Sequence, residues 1–309
     1  MLQFAGLEPA RPPAGPLHLA IGMFDGVHLG HQSVIEAAVH SARRSGGPAG
    51  VLTFWPHPSA LFRPDHPTRL MMPATMKRAV LARLGVDLVI EQEFSREFAA
   101  VEARDFVGLL RRHLPSLAAI YVGDNWRFGR GRAGDVALLV AEGRAAGLTV
   151  FSAPRVNFNG APISSSRIRE LLAAGDIVEV NAMLGYSYFT DGVVERGRQL
   201  GRTIGFPTLN IAWEPEARPA YGVYAVEVDA GMKRPLRGVA NYGVRPTVDQ
   251  TTRPLLEVHL LEPSVLTYGI KLTVNWLHFL RPESKFGGLE ELRAQIEKDR
   301  QNALKFFQK

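Results

Sequence analysis

Two histidines three residues apart stand in the run Gly22-Met-Phe-Asp-Gly-Val-His-Leu-Gly-His31. An apolar run precedes it and a helical pattern follows. His28 and His31 therefore fall at a helix start, where unpaired backbone N–H groups and the helix dipole favour phosphate. Gly22, Gly26 and Gly30 let the backbone approach a ligand closely, and Phe24 and Asp25 belong to the same loop. Two such side chains can both donate to the oxygens of one polyphosphate. Nucleotidyl transfer needs mainly positioning and charge stabilisation, which donors of this kind supply. The plainer reading makes both histidines exposed helix-start residues. A metal pair is a third reading, but no third ligand lies nearby at a characteristic spacing.

A second cluster, Ile163-Ser-Ser-Ser-Arg-Ile-Arg169, opens another helix. Ser165 and Ser166 alone would be ordinary N-caps, and Arg169 alone a solvated helix residue. Beside the histidine motif the balance reverses, because both segments follow strands and can meet at one edge of a sheet. Later in the chain, Gly197-Arg-Gln-Leu-Gly-Arg-Thr-Ile-Gly-Phe-Pro-Thr-Leu-Asn210 offers Gly201 and Arg202 to phosphates. Its Thr208 and Asn210 are hard oxygen ligands for Mg²⁺. By spacing alone the signal is weak, and a Gly/Pro-rich surface loop is the better explanation of this run. Glu257 points away from Leu256, Val258 and Leu260 on its strand; it is either a solvated carboxylate or a general base for a hydroxyl proton.

These residues need elements to hold them. In the first half, Leu17–Gly22, Gly50–Phe54, Val86–Ile90, Ala118–Val122 and Leu148–Ser152 read as short, doubly buried strands. Helical stretches over Gln32–Arg44, Thr75–Leu84, Ala103–Leu114 and Gly134–Ala146 alternate with them. That alternation predicts a Rossmann-like α/β domain with a parallel sheet and helices on both faces. After about residue 185, Tyr221–Asp229, Leu236–Tyr242, Leu255–Glu262 and Ile270–Leu280 predict a small antiparallel Greek-key β-barrel. In the last of these the alternation slips at Leu277, as a bulge produces. A long helix closes the chain, with Leu289, Leu292, Ile296, Ala303, Leu304 and Phe307 on one face. The expected boundary lies near Leu184–Ser187, giving domains 1–184 and 185–309.

The paired motifs resemble the nucleotidylyltransferases, whose signatures are HxGH and a late ISSTxxR; here the second reads ISSSRIR. Thr53-Phe-Trp-Pro-His-Pro58 and Gly123-Asp-Asn-Trp-Arg-Phe-Gly-Arg-Gly-Arg-Ala-Gly134 narrow the likeness to the flavin-mononucleotide adenylyltransferase module. GRTIGFPTLN, GVYAV at Gly222–Val226, GVANYGVRPT at Gly238–Thr247, LEVHLLE at Leu256–Glu262 and LRPESKF at Leu280–Phe286 resemble riboflavin kinase. Nearly the whole chain is similar to the bacterial bifunctional riboflavin kinase/FAD synthetases, with five or more separate motifs in register. Leu209 replaces Ala inside GFPTAN, Trp126 stands for Phe, and residues 263–267 lack the usual acidic, aromatic character.

The resemblance implies two reactions: phosphorylation of riboflavin to FMN by ATP, then adenylyl transfer from ATP to FMN, giving FAD and pyrophosphate. It implies Mg²⁺ (or Mn²⁺) held by Thr208 and Asn210, and Glu257 as base for the ribityl hydroxyl. It makes Asn125 a site residue of the first domain, and assigns polyphosphate contacts to His28, His31, Ser165, Ser166 and Arg169. Trp126 and Phe128 can stack on a flavin or adenine ring, or simply pack in the core. An alternative is an FMN adenylyltransferase alone, with the altered 263–267 segment marking the barrel as a flavin-binding module.

Composition sets the outer limits. The 309 residues are 46% hydrophobic and 21% charged, enough for sizeable cores, and no apolar run is long enough to span a membrane. With no cysteine, disulfides, thiolate metal sites and cysteine nucleophiles are excluded, and a cytoplasmic enzyme without a secretory signal is expected. The net charge of +6 favours anionic small molecules. A nucleic-acid partner would need a basic stripe interleaved with aromatics, which is missing; no membrane partner is expected, and oligomeric state is not legible.

Overall fold

The computed structural model describes residues 1–197, 200–244 and 254–308, without the side chains of Leu200 and Arg202. By contacts the chain divides into two compact units, Met1–Ser165 and Ser166–Lys309.

The first unit runs β1 (Leu2–Phe4), β2 (Leu17–Ile21), α1 (Leu29–Ser45), β3 (Ala49–Trp55), α2 (Pro58–Phe62), α3 (Ala74–Arg83) and β4 (Leu88–Glu93). It continues with α4 (Arg96–Ala99), α5 (Phe106–His113), β5 (Leu117–Gly123), α6 (Val136–Ala145), β6 (Thr149–Ala153) and the small pair β7 (Asn157–Phe158) and β8 (Ala161–Pro162). Six strands form one sheet in the order β1-β4-β3-β2-β5-β6, all pairings parallel. This is the expected Rossmann-like layer, with β1 added at an edge. β2 is buried at all five positions, as a strand covered on both faces must be. Leu19, Ile21, Leu52, Leu88, Ile120 and Val122 anchor the core beneath it. The order reverses beside β2, so the loop after β2 opens at the switch point where α/β sheets take ligands.

The second unit begins within α7 (Ser165–Ala174), at Ser166, and continues with α8 (Ile177–Leu184). It continues through β9 (Phe189–Glu195), α9 (Leu200–Thr203), β10 (Leu209–Ala212), β11 (Gly222–Asp229), β12 (Leu236–Val244), β13 (Pro254–Leu260), β14 (Lys271–Pro282) and α10 (Leu289–Phe307). The strands close a barrel in the order β10-β13-β12-β11-β14-β9. Strand β14 returns beside β11, which gives the Greek-key order. Its pairing with β11 skips Leu277 and Leu280, so the slip in alternation is a pair of bulges. Trp276, Tyr224 and Tyr242 fill the interior, each fully buried.

Contacts place the division about 19 residues ahead of Leu184 because α7 and α8 pack on the barrel. Asn181 donates to Trp276 O (2.7 Å) and accepts from Tyr188 N (2.7 Å), while Ala220 N donates to Leu172 O (3.0 Å). No helix among the described residues is long and apolar enough to cross a membrane.

Candidate functional sites

The first site grows out of the β2–α1 loop. Phe24 (φ 48°), Gly26 (φ 80°) and Val27 (φ 37°) all have left-handed backbone, a strained path for the two non-glycines. It turns the chain so that His28 becomes the N-cap of α1, its Nδ1 accepting from His31 N at 3.3 Å. That bond leaves Nε2 as the protonated nitrogen, and so the donor, of neutral His28. The His31 ring stacks on it, centroids 3.6 Å apart, and Phe24 meets His31 edge-on at 5.4 Å. The close stack explains Gly30: a β-carbon there would lie 3.3 Å from the His28 ring.

Burial holds His28 down to about 4. His31 is pushed well below its ordinary value, first by desolvation, then by the charges of His28 and Lys77. The pair is thus neutral and closely packed, and His31 Nδ1 is buried with no hydrogen-bond partner. Such an arrangement gains most when an anion arrives beside it, since a nearby negative charge restores the protonated form.

Asp25 is buried. Its carboxylate accepts from Met71 N (3.0 Å) and its carbonyl from the Ser165 hydroxyl (3.0 Å), so the structure does join Ser165 to the histidine loop. Ser166 and Arg169 lie on the first turns of α7, with Arg169 Nη2 3.4 Å from Ser166 Oγ. Both belong to the second unit by contacts.

Beside the loop opens a cleft of about 700 Å³ whose wall includes Gly22, Met23, Phe54, Phe62, Asn125 and Trp126. Asn125 is exposed at its edge. Trp126 and Phe128 stack on each other, 4.7 Å apart and 14° from parallel, and both pack on Phe106. Phe128 is buried in the sheet's core cluster, so the packing role weighed for it is realised while its ring still lines the cleft. Sequence reasoning passed over Phe62, which is 64% exposed and also lines the cleft. It also passed over Lys77, a buried lysine on α3. Phe62 lies four residues beyond the end of the TFWPHP string and was findable; a helical lysine 46 residues beyond His31 carries no signal.

The second site lies outside the barrel wall, under α10. A cleft of about 370 Å³ is lined by Gly201, Thr208, Glu257, Arg281, Phe286 and the apolar face Leu289, Leu292 and Ile296 of α10. Barrel register sets its polar row: Asn210 pairs with Glu257 across β10–β13, and Glu257 with Asn241 across β13–β12. Directly paired residues share a face, so all three point from the barrel on the α10 side. His259, two residues on, hydrogen-bonds Pro207 O at 2.9 Å and braces the loop that carries Thr208. Arg281 grips buried Asp299 with two bonds of 2.8 and 2.7 Å, tying β14 to α10. Burial raises the Glu283 carboxyl, against the Val244 N–H, Arg281 and Asn241. The segment 263–267, exposed except for half-buried Leu266, contributes no residue to this cleft. The Arg202 side chain and residues 245–247 of the GVANYGVRPT string lie outside the described residues.

A magnesium ion fits this row. Asn210 Oδ1 is buried and lacks a hydrogen-bond partner, an orphaned hard oxygen of the type such ions take. Among the described residues, no cluster of three or more His, Asp and Glu side chains offers a different metal site.

Residues 12–167 match the family model described as FAD synthetase, and residues 184–307 that described as riboflavin kinase. The chain is 40% identical over 290 residues to the bifunctional riboflavin kinase/FMN adenylyltransferase of Escherichia coli K12, covering 94% of this chain and 92% of the relative. The chain belongs to the bifunctional riboflavin kinase/FMN adenylyltransferase family. It carries the adenylyltransferase domain ahead of the kinase domain, as that family does. The Haemophilus influenzae member is 39% identical over 98% of both chains, and the Bacillus subtilis member 35% identical over 94% of this chain and 92% of its own. Among solved structures, one described as a macrolide-efflux protein from Streptococcus pneumoniae superposes with a TM-score of 0.87 at 27% identity over 97% of each chain.

Proposed function

We propose that the two clefts carry the two successive reactions of flavin cofactor synthesis, phosphorylation in the domain 185–309 and adenylylation in the domain 1–184. In the barrel, Glu257 accepts the proton of the ribityl hydroxyl as that oxygen attacks the γ-phosphorus of ATP; the γ–β bridging bond breaks and ADP leaves, giving FMN. The apolar face of α10 and Phe286 offer a wall for the flavin ring. Thr208 and Asn210 would hold Mg²⁺ (or Mn²⁺), which when bound offsets charge on the phosphates. Gly201 brings backbone close to the same phosphates, with Arg202 beside it.

In the first domain, a phosphate oxygen of FMN attacks the α-phosphorus of a second ATP; the α–β bridging bond breaks, giving FAD and pyrophosphate. His28 and His31 donate to the polyphosphate as charge develops on its leaving part. The backbone of Gly22–Gly30, with Phe24 and Asp25 in the loop, lies against the nucleotide. Ser165, Ser166 and Arg169 hold the pyrophosphate, and Asn125 lies at the cleft beside the flavin phosphate. Trp126, Phe128 and Phe62 line the cleft with aromatic rings for the flavin. A cytoplasmic site of action fits an enzyme without cysteine whose substrates are ATP and flavins.

The observation that carries the reading is the neutral, stacked histidine pair at the N-terminus of α1 beside an aromatic cleft. Incubating the purified chain with riboflavin, ATP and Mg²⁺ and resolving the flavins by chromatography tests it: FMN should appear first and FAD after it. Riboflavin left untouched while supplied FMN becomes FAD would remove the kinase half, and FMN left unadenylylated would remove the other.

A further inference from the structure

Lys77 is buried to 6% exposure on α3, yet nothing in its own helix calls for a charge there. Its ammonium donates to Met23 O at 2.8 Å and to Thr53 Oγ1 at 3.2 Å, and the Thr53 hydroxyl donates to the same Met23 carbonyl at 3.0 Å. Two donors from separate elements, α3 and β3, thus converge on one carbonyl. That carbonyl belongs to the peptide entering Phe24, the first of the two left-handed non-glycine residues in the loop.

We propose that Lys77 is a positioning residue for adenylyl transfer: with Thr53 it grips the Met23 carbonyl and so fixes the left-handed turn that sets His31 and His28 at the polyphosphate. The linkage is continuous. The Met23 anchor holds the Phe24 backbone, the buried Phe24 ring meets His31 edge-on, and His31 stacks on His28. Held backbone strain of this kind persists only where surrounding groups over-determine it. Lys77 is not among the residues that line the cleft, whereas Met23, whose carbonyl it holds, is.

Its charge has a second consequence at the same place. Lys77 faces Asp25 in the loop, Glu91 on β4 and Arg78 on its own helix, and Arg78 already pairs with Glu91 at 2.7 Å. Toward the site it faces His31, with His28 beyond, and helps to keep His31 unprotonated before nucleotide binds.

The inference rests on the reading of the loop as the polyphosphate site, and the test separates the two. Lys77→Met keeps the length of the side chain and removes donor and charge. In the full-length chain we expect kcat for FAD formation from FMN to fall at least about tenfold, with KM for ATP changed less than about threefold. Riboflavin phosphorylation should be unchanged. In ¹H–¹⁵N spectra of the histidine rings, the His31 titration should move up towards its ordinary value; Lys77→Arg should restore part of both effects. Unchanged kcat overturns the proposal, and so does a fall in kcat with the His31 signals and titration left as in the parent. Should Lys77→Met fail to fold, Thr53→Val removes the second donor at constant shape. It should lower kcat several-fold and shift the His31 ring signals, and no change in either overturns the proposal. Should His28→Ala keep full FAD formation, the fault lies in the reading of the loop itself.

Discussion

The rings of His28 and His31 lie face to face, their centroids 3.6 Å apart and their planes 18° from parallel. Two imidazolium ions at that separation would repel strongly, and both groups are also desolvated, so both stay neutral in the free enzyme. The pair is therefore a proton acceptor in waiting, whose charge state depends on what binds against it.

A pH dependence of stability follows. Folding lowers the affinity of both rings for protons. The stability they contribute is whole above the unfolded value of 6.5 and is lost as pH falls towards the folded value of about 4. For His28 alone this amounts to about 3 kcal/mol. Thermal melts followed between pH 7.5 and 4.5 should show the first unit losing stability through this window. His28→Asn should flatten the loss. Calorimetry below pH 6.5 in buffers of different ionisation heat should also show protons taken up as ATP binds.

Glu257→Gln keeps shape and hydrogen bonding but removes the base. FMN formation should fall by about 10²-fold or more, while adenylylation of supplied FMN stays within about twofold. Loss of both activities would mean that the carboxylate serves the fold instead.

Gly197 lies against Asn210. A β-carbon there would come within 2.4–2.6 Å of the Asn210 side chain, so Gly197→Ala must displace the orphaned oxygen. Kinase activity should fall and the Mg²⁺ concentration giving half-maximal rate should rise; Asn210→Ala should do the same, with FAD formation from FMN unaffected. An unaltered Mg²⁺ titration in both variants would take Asn210 out of the metal site.

Phe62 is 64% exposed, so Phe62→Ala should change stability by less than about 0.5 kcal/mol. If its ring faces the flavin, KM for FMN should rise roughly two- to tenfold, the range of one aromatic contact. Unchanged KM would place the flavin elsewhere in the cleft.

What the chain's own order of residues determined is the set of elements with a strong local signal. The four inner strands of the sheet, β4, β3, β2 and β5, are buried over most of their length and therefore apolar, whereas β6, expected to be doubly buried as well, stands at an edge and is exposed at Thr149 and Phe151. The glycine-spaced histidines mark a helix start by type alone. The Leu277 slip in β14 was legible because a bulge breaks alternation within a single segment. Short edge and closing strands such as β1, β9 and β10 were not, since three to seven residues paired late in the fold carry too little pattern. Barrel register alone decided that Asn210, Glu257 and Asn241 form one row, although they are far apart in the chain. Tertiary packing likewise decided that Trp126 and Phe128 spend faces on each other, that α7 and α8 side with the barrel, and that Lys77 points inward at Met23. A lysine on a helix reads as solvated wherever it stands; only the strand and loop that close over it turn its charge inward, because burial is a property of neighbours and not of the residue.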